Sequence, residues 1–133
     1  MATINAPTLQ DVQYSGAAPL AAVHGAAVLA AAQIADKVRL AQLPAGAKVD
    51  DLRMINAALG ASTTVSVGYE YVDGSAADAA AFLAATSTVA AASTNMAVKP
   101  VKLTKDAYLT ATVGGGAASG ALDVVAFYEP RGV

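Results

Sequence analysis

The sequence predicts an all-β protein, an antiparallel β-sandwich with one short helix and an extended N-terminal arm. Apolar and polar residues alternate along several runs, and turns rich in glycine or proline separate these runs. The chain of 133 residues also has the usual size of one domain. We therefore predict an arm over residues 1–19 and a single sandwich domain over residues 20–133.

The composition predicts a thin hydrophobic core. Hydrophobic residues make up 56% of the chain, but about a quarter of all residues are alanine, which brings only one methyl group to a core. There is no tryptophan and no cysteine, and there are only two phenylalanines. Association with neighbouring subunits is therefore a plausible second source of stability.

The charge and the cysteine content argue against nucleic acid as a partner and against thiol chemistry. A formal net charge of −2 with eight scattered Lys and Arg residues gives no electrostatic footprint for nucleic acid. The absence of cysteine excludes thiol catalysis and thiolate metal sites. The first basic residue is Lys37, and the early apolar run is interrupted, so we expect neither export nor membrane insertion.

An alanine-rich stretch at residues 26–40 predicts two strands joined by a bend near Asp36. Alanine favours helices, so a helix is the alternative. Strands are favoured because the large apolar residues share one parity, namely Val28, Ile34, Val38 and Leu40. Pro44 and Gly46 then predict a tight turn.

The middle of the chain predicts two more strands and the helix. Leu52 and Met54 alternate with Arg53, and the adjacent Asp50 and Asp51 indicate either a β-bulge or an irregular start of the strand. Residues 64–71 alternate clearly, and their predicted inward side chains are Val65, Val67, Tyr69 and Tyr71. Residues 76–85 predict a short helix, because Ser75 and Asp78 form a capping-box pattern before an apolar pair.

The last third of the chain predicts further strands. Residues 87–93 are read as a strand, and residues 96–103 as an extended segment at a sheet edge, because Pro100 has no amide to donate. Residues 108–113 and 122–126 alternate on either side of the glycine-rich "GGGAASG". We predict that they form a hairpin with a flexible tip, and that Pro130 ends the last strand.

No set of residues predicts catalysis, a cofactor or a metal. His24 is the only histidine and no serine elbow accompanies it, so a structural role is favoured. Asp50 and Asp51 should point to opposite faces of a strand and could not share a proton. The "GGG" run at residues 114–116 joins strand to strand without a Walker lysine, so it is interpreted as turn chemistry.

Two residue patterns admit both a structural and a functional interpretation. Tyr69 and Tyr71 share a strand face, which suits core packing or a carbohydrate-stacking platform. Lys99, Lys102 and Lys105 form a basic ladder on one extended segment, which suits edge protection or a salt-sensitive contact with an acidic partner. The arm is either a floppy terminus or a segment that lies along a neighbouring subunit.

Residues 37–129 resemble the small head decoration, or cement, proteins of tailed bacteriophages. In that family a strand leads into an "LPAGA" corner, a strand ending in "VGY" follows, an "AFL" helix comes next, and a last hairpin passes through glycines. These motifs occur here in the same order. The resemblance implies a jelly-roll-like subunit that binds the outer surface of a capsid and strengthens it as a symmetric oligomer.

This resemblance implies partners and a location. The partners are the major capsid protein and the protein itself, as a homo-oligomer that is a dimer or trimer. The location is the outer capsid surface of the virion, after synthesis in the bacterial cytoplasm. The predicted contact residues lie on the arm and on the lysine ladder: Asn5, Pro7, Leu9, Val12, Tyr14, Lys99, Lys102 and Lys105.

The alternative function is a glycan-binding or receptor-binding module of a phage tail or fibre, using Tyr69, Tyr71 and the loop tips. Hydrolase activity is a weaker alternative, because the chain offers no nucleophile beside His24.

Overall fold

The computed structural model describes residues 2–6, 9 and 21–130, except for the side chain of residue 130. This part of the chain contains no helix and is built from strands. The strands are β1 (Thr3–Asn5), β2 (Ala21–Ala32), β3 (Lys37–Leu43), β4 (Ala47–Asn56), β5 (Thr64–Tyr71), β6 (Ala77–Ser87), β7 (Ala92–Asn95), β8 (Val101–Lys102), β9 (Ala107–Gly114) and β10 (Ala118–Pro130).

The strands form two sheets that pack face to face. Sheet 1 has the order β1-β3-β9-β5-β6, and sheet 2 has the order β2-β10-β4-β7, with β8 also paired to β4. All pairs are antiparallel except β1 with β3. The buried side chains between the sheets are mostly Ala, Val and Leu, with Phe82 the largest that is fully buried. The predicted antiparallel β-sandwich is therefore confirmed.

The pairing is that of a jelly roll. Apart from β1, the partners are nested along the chain: β2 pairs with β10, β3 with β9, β4 with β7 and β8, and β5 with β6. One long antiparallel hairpin is thus wrapped into two layers, which is the double-sheet jelly-roll arrangement. The jelly-roll-like prediction is confirmed in its strand order.

The predicted helix at residues 76–85 is wrong, because this segment forms β6 and pairs with β5. Alanine's helix propensity is a weak preference, and tertiary pairing overrides it. Phe82 and Leu83 are both buried although they are adjacent, which an irregular ladder permits. Asp78 does not cap a helix, since its Oδ1 accepts the Ala80 amide at 3.1 Å.

The two strands predicted on either side of Asp36 are present as β2 and β3. The prediction that even-numbered residues are buried is wrong for β2. Val28 is 81% exposed and Ile34 is 61% exposed, whereas Val23 and Leu29 are buried. Val28 lies before a bulge at Ala31, which has a φ of 54° and lies where the register with β10 shifts. Ile34 lies after the bulge, in the turn that leads to β3. The bulge changes the buried parity before the chain enters β3, where the predicted inward residues Val38 and Leu40 are indeed buried.

The predicted bulge at Asp50 and Asp51 is confirmed. Phe127 of β10 faces Asp51 while Tyr128 faces Val49, so Asp50 is the extra residue. Val49 and Leu52, which flank the two aspartates, are fully buried, and neither aspartate takes an inward position. The prediction that these two side chains point to opposite faces is therefore wrong.

The predicted hairpin near the end of the chain is also wrong. β9 lies in sheet 1 between β3 and β5, whereas β10 lies in sheet 2 between β2 and β4. The glycine-rich corner is thus an arch from one sheet to the other. Gly115 has a φ of 76°, and a Cβ atom there would collide with the carbonyl oxygen of Ser62. The corner is packed against the neighbouring loop, and glycine is required there.

The remaining sheet predictions are mixed. β5 spans residues 64–71 as predicted, with Val65 and Val67 fully buried. Of the strand predicted at residues 87–93, only the last part belongs to β7, which begins at Ala92. The extended segment at residues 96–103 does contribute the short β8 to the edge of sheet 2.

Candidate partner-binding surfaces

The first described residues dock onto their own domain. β1 adds a parallel strand to the edge of sheet 1, where Asn5 lies beside Arg39. The amide of Ala6 donates to the Arg39 carbonyl at 2.9 Å, and Leu9 is only 8% exposed. Asn5 itself is exposed, whereas Pro7, Val12 and Tyr14 lie outside the described residues.

Asp36 fastens this strand at its beginning. Its carboxylate accepts the backbone amides of Ala2 and Gln33, both at 2.9 Å. These two hydrogen bonds, from Ala2 first and then from Gln33, hold the pKa of Asp36 below its ordinary value. The residue is buried, so its paired carboxylate is a structural tie rather than a free acid.

The three predicted contact lysines do not form one ladder. Lys102 lies in β8, and Lys99 precedes that strand in an irregular segment. Lys105 lies in the turn before β9 and contacts sheet 1. Its Nζ donates to Asp73 Oδ2 at 3.1 Å and to Ser75 Oγ at 3.0 Å, and lies 5.9 Å from the centre of the Tyr71 ring.

The exposed Asp73 is strongly stabilised as a carboxylate. Hydrogen bonds from the Ser75 side chain and amide, together with Lys105, lower the pKa of Asp73 to about 2. Lys105 is therefore already paired within its own domain, with the carboxylate of Asp73.

Lys99 and Lys102 differ from Lys105 in having no carboxylate within salt-bridge distance among the described residues. Both are exposed. Lys102 lies directly opposite Lys48 of β4, whose Nζ is 3.7 Å from Glu129 Oε2. Positive charge therefore gathers at the β8 edge of sheet 2.

An ion-pair network that the sequence analysis missed lies on the outer face of sheet 1. Glu70 of β5 contacts two cations of β3, with 2.6 Å to Lys37 Nζ and 3.0 Å to Arg39 Nε. The Arg39 guanidinium also lies 4.6 Å from the centre of the Tyr108 ring. The network spans β9, which runs between β3 and β5.

The Glu70 carboxylate is held in its charged form. Desolvation raises the pKa of Glu70, but hydrogen bonds from Lys37 and Arg39 and their positive charges outweigh this effect, so the pKa lies below its ordinary value. The three side chains are only 17–28% exposed. No sequence spacing indicates this site, since the contacts join residues more than thirty positions apart.

Tyr69 and Tyr71 pack against the hydrophobic core, as the structural interpretation predicts. Their ring centres are 5.2 Å apart, and the Tyr69 ring is 6.1 Å from that of Phe82. Desolvation, with a smaller effect of Tyr71, raises the pKa of Tyr69. This placement does not favour a carbohydrate-stacking platform on these two rings.

His24 lies on the outer face of sheet 2, with Nε2 3.5 Å from Asp123 Oδ2. Both side chains are more than 40% exposed. Among the residues that the structure describes, no three His, Cys, Asp or Glu side chains are grouped so that they could hold a metal ion. The same residues include no helix long and apolar enough to cross a membrane.

These observations define a jelly-roll protein with two distinct charged surfaces. No protein-family model matches the chain, and no curated protein matches it. Solved structures do match. A chain in the capsid of Ralstonia phage GP4 has a TM-score of 0.75 and 17% identity, with 98% of this chain and 99% of that chain covered.

Two further structures are similar over most of their length. A chain in the capsid asymmetric unit of cyanophage Pam1 has a TM-score of 0.67 and 17% identity, with 94% of this chain and 99% of that chain covered. A chain in the acid-stable capsid of Helicobacter pylori bacteriophage KHP30 has a TM-score of 0.63 and 20% identity, with 86% and 90% covered. At these identities the likeness establishes a shared fold.

Proposed function

We propose that this protein is a structural component of a phage particle, a decoration or cement protein that binds the outer capsid surface and stabilises it. The observation that carries this proposal is the likeness, over nearly the whole length of both chains, to chains found in two phage capsids. In this proposal the protein is not an enzyme, and its partners are the major capsid protein and further copies of itself.

The proposed mechanism is multivalent clamping. A dimer or trimer that bridges several capsid subunits dissociates slowly, because its contacts must break together even when each one is weak. A core made largely of Ala, Val and Leu suits a subunit that gains further stability by assembly. The predicted contact surfaces are the N-terminal arm and the lysine-bearing edge of sheet 2.

The test is co-sedimentation of the purified protein with capsid particles that lack it. We expect saturable binding and an increase in the temperature at which the particles release their DNA. A protein that stays in the supernatant at every concentration would show that the proposal is wrong.

A second experiment tests the arm separately. Deletion of residues 1–19 also removes β1, so circular dichroism and urea unfolding must first show that the rest of the sandwich stays folded. In that folded variant, capsid binding should be weaker and heat resistance lower. If binding and heat resistance stay at the full-length level, the arm does not contact the capsid.

A further inference from the structure

The edge of sheet 2 holds two lysines in an unfavourable arrangement. Lys48 of β4 and Lys102 of β8 are directly opposite in antiparallel register. Residues in this position have Cβ atoms about 4.5–5.5 Å apart, and like charges there repel each other. Val49 and Leu103, which follow the two lysines, are fully buried, so both ammonium groups lie on the solvent side.

The surrounding residues neutralise this charge only in part. Glu129 is the neighbour of Lys48 on β10, but the distance of 3.7 Å and a lysine exposure of 44% describe a weak pair. Lys99, three positions before Lys102, adds another exposed ammonium group. In the described part of the chain, a carboxylate lies within 2.6–3.1 Å of each of Lys37, Arg39 and Lys105. No carboxylate of these residues lies within salt-bridge distance of Lys99 or Lys102.

We infer that Lys48, Lys99 and Lys102 form a docking site for a carboxylate-bearing surface of a protein partner. We call this set the β8 lysine site. A bound carboxylate between Lys48 and Lys102 converts their repulsion into two charge-assisted contacts. The inference rests on the proposed function, in which the partner is an acidic surface of a capsid subunit.

The local backbone indicates that the partner is held by side chains rather than by an added strand. β8 has only two residues, and Pro100 beside it has no amide to donate to another strand. Lysine and proline at a sheet edge discourage strand pairing. Val98, which is 48% exposed beside Lys99, offers an apolar contact at the margin of the site.

The chemistry favours an acidic protein over nucleic acid. Phosphate binding depends on many cations along a surface, whereas this site has three. Asp50 and Asp51 also separate Lys48 from Arg53 on β4, so the cations do not form a continuous row along the strand.

The decisive experiment compares the double variant Lys99→Ala/Lys102→Ala with the control Lys105→Ala. The control removes a lysine that is also exposed, with 49% of its side chain accessible, but that already forms an ion pair with Asp73. In stopped-flow binding to capsid particles that lack the protein, we expect the double variant to associate roughly tenfold more slowly at low salt, with a weaker salt dependence. The control should stay within about twofold of the parent protein. Equal rates for the double variant and the parent would overturn the inference.

A second measurement separates this inference from the proposed function. Isolated protein is titrated with a polyglutamate peptide, and amide NMR shifts are followed. Shifts at the amides of residues 99, 101 and 102 that disappear in the double variant support the site, even if the protein binds no capsid. Equal affinity for a DNA duplex of the same charge, or no shifts in this segment, would overturn it.

The geometry also predicts the effect of one single change on folding. Lys102→Ala removes the repulsion from Lys48, so the urea midpoint should stay the same or rise. A lowered midpoint would contradict the opposed arrangement of the two lysines.

Discussion

The Glu70 carboxylate lies 2.6 Å from the Lys37 ammonium group, although their strands are separated by β9. The contact therefore ties three strands of sheet 1 together on the outer face, and Arg39 reinforces it at 3.0 Å. Because the three side chains are mostly shielded from water, this network should contribute more than an ordinary surface ion pair.

Replacement of Glu70 by glutamine should lower the free energy of unfolding by about 1–2 kcal/mol at neutral pH, between the values for exposed and buried pairs. Urea unfolding measures this. Asp123→Asn changes an exposed carboxylate, 41% accessible, and should alter stability by no more than about 0.5 kcal/mol.

The lowered pKa of Glu70 also predicts how the stability difference between the parent protein and Glu70→Gln depends on pH. The folded pKa of Glu70 is lowered, so its contribution is present above the ordinary value of 4.5 and is lost as the pH falls through the folded value. The stability difference between the parent and Glu70→Gln should therefore disappear in acid. A difference that persists there would mean that charge is not its cause.

Replacement of Gly68 by alanine should disrupt the junction of β5 and β6. A Cβ atom at this position would collide with the carbonyl oxygen of Asp78, which is backbone and cannot rotate away. We expect a loss of about 2–3 kcal/mol, at the upper end for overpacking, measured by chemical denaturation. The matched control is Ser66→Ala on the same strand, which should stay within about 0.5 kcal/mol of the parent.

The turn that contains Asp73 should show an unusual titration. The Asp73 carboxyl group should titrate at about 2 in an NMR experiment, and its stabilising contacts should be lost as the pH falls from the ordinary value of 3.8 through that point. Ser75→Ala removes the largest stabilising hydrogen bond and should move the pKa back toward 3.8. An unchanged pKa in this variant would assign the shift to another cause.

Replacement of Asp36 by alanine should release β1 without unfolding the sandwich. The variant lacks the acceptor for the Ala2 and Gln33 amides, so hydrogen exchange at Ala6 should accelerate by at least about tenfold while that at Val67 is unchanged. Because the pKa of Asp36 is lowered, the same release is expected in the parent only as the pH falls below the ordinary value of 3.8. Parallel acceleration at both amides would indicate global destabilisation instead.

The sequence predicts this fold best where apolar and polar residues alternate regularly along a strand. Residues 64–71 satisfy this condition, and their strand has the predicted bounds. Residues 77–87 do not, because alanine fills both faces and its local preference is for a helix. Only pairing with β5, which local propensity does not describe, makes this segment a strand.

Local sequence patterns also do not predict which strands pair with each other. β9 and β10 look like a hairpin because they are adjacent in the chain, yet each pairs within a different sheet. The bulge at Ala31 shifts the parity of β2 with no glycine or proline to indicate it. The Glu70 network and the opposed Lys48 and Lys102 depend on strand register, which the sequence alone does not specify.

The central place of β9 and β10 has a consequence for synthesis on the ribosome. β10 fills the gap between β2 and β4, and β9 fills the gap between β3 and β5. A nascent chain that has emerged only as far as β8 therefore holds two incomplete layers with open interior edges. Such an intermediate should be prone to aggregation, and the domain should mature slowly and only after its last strands are released.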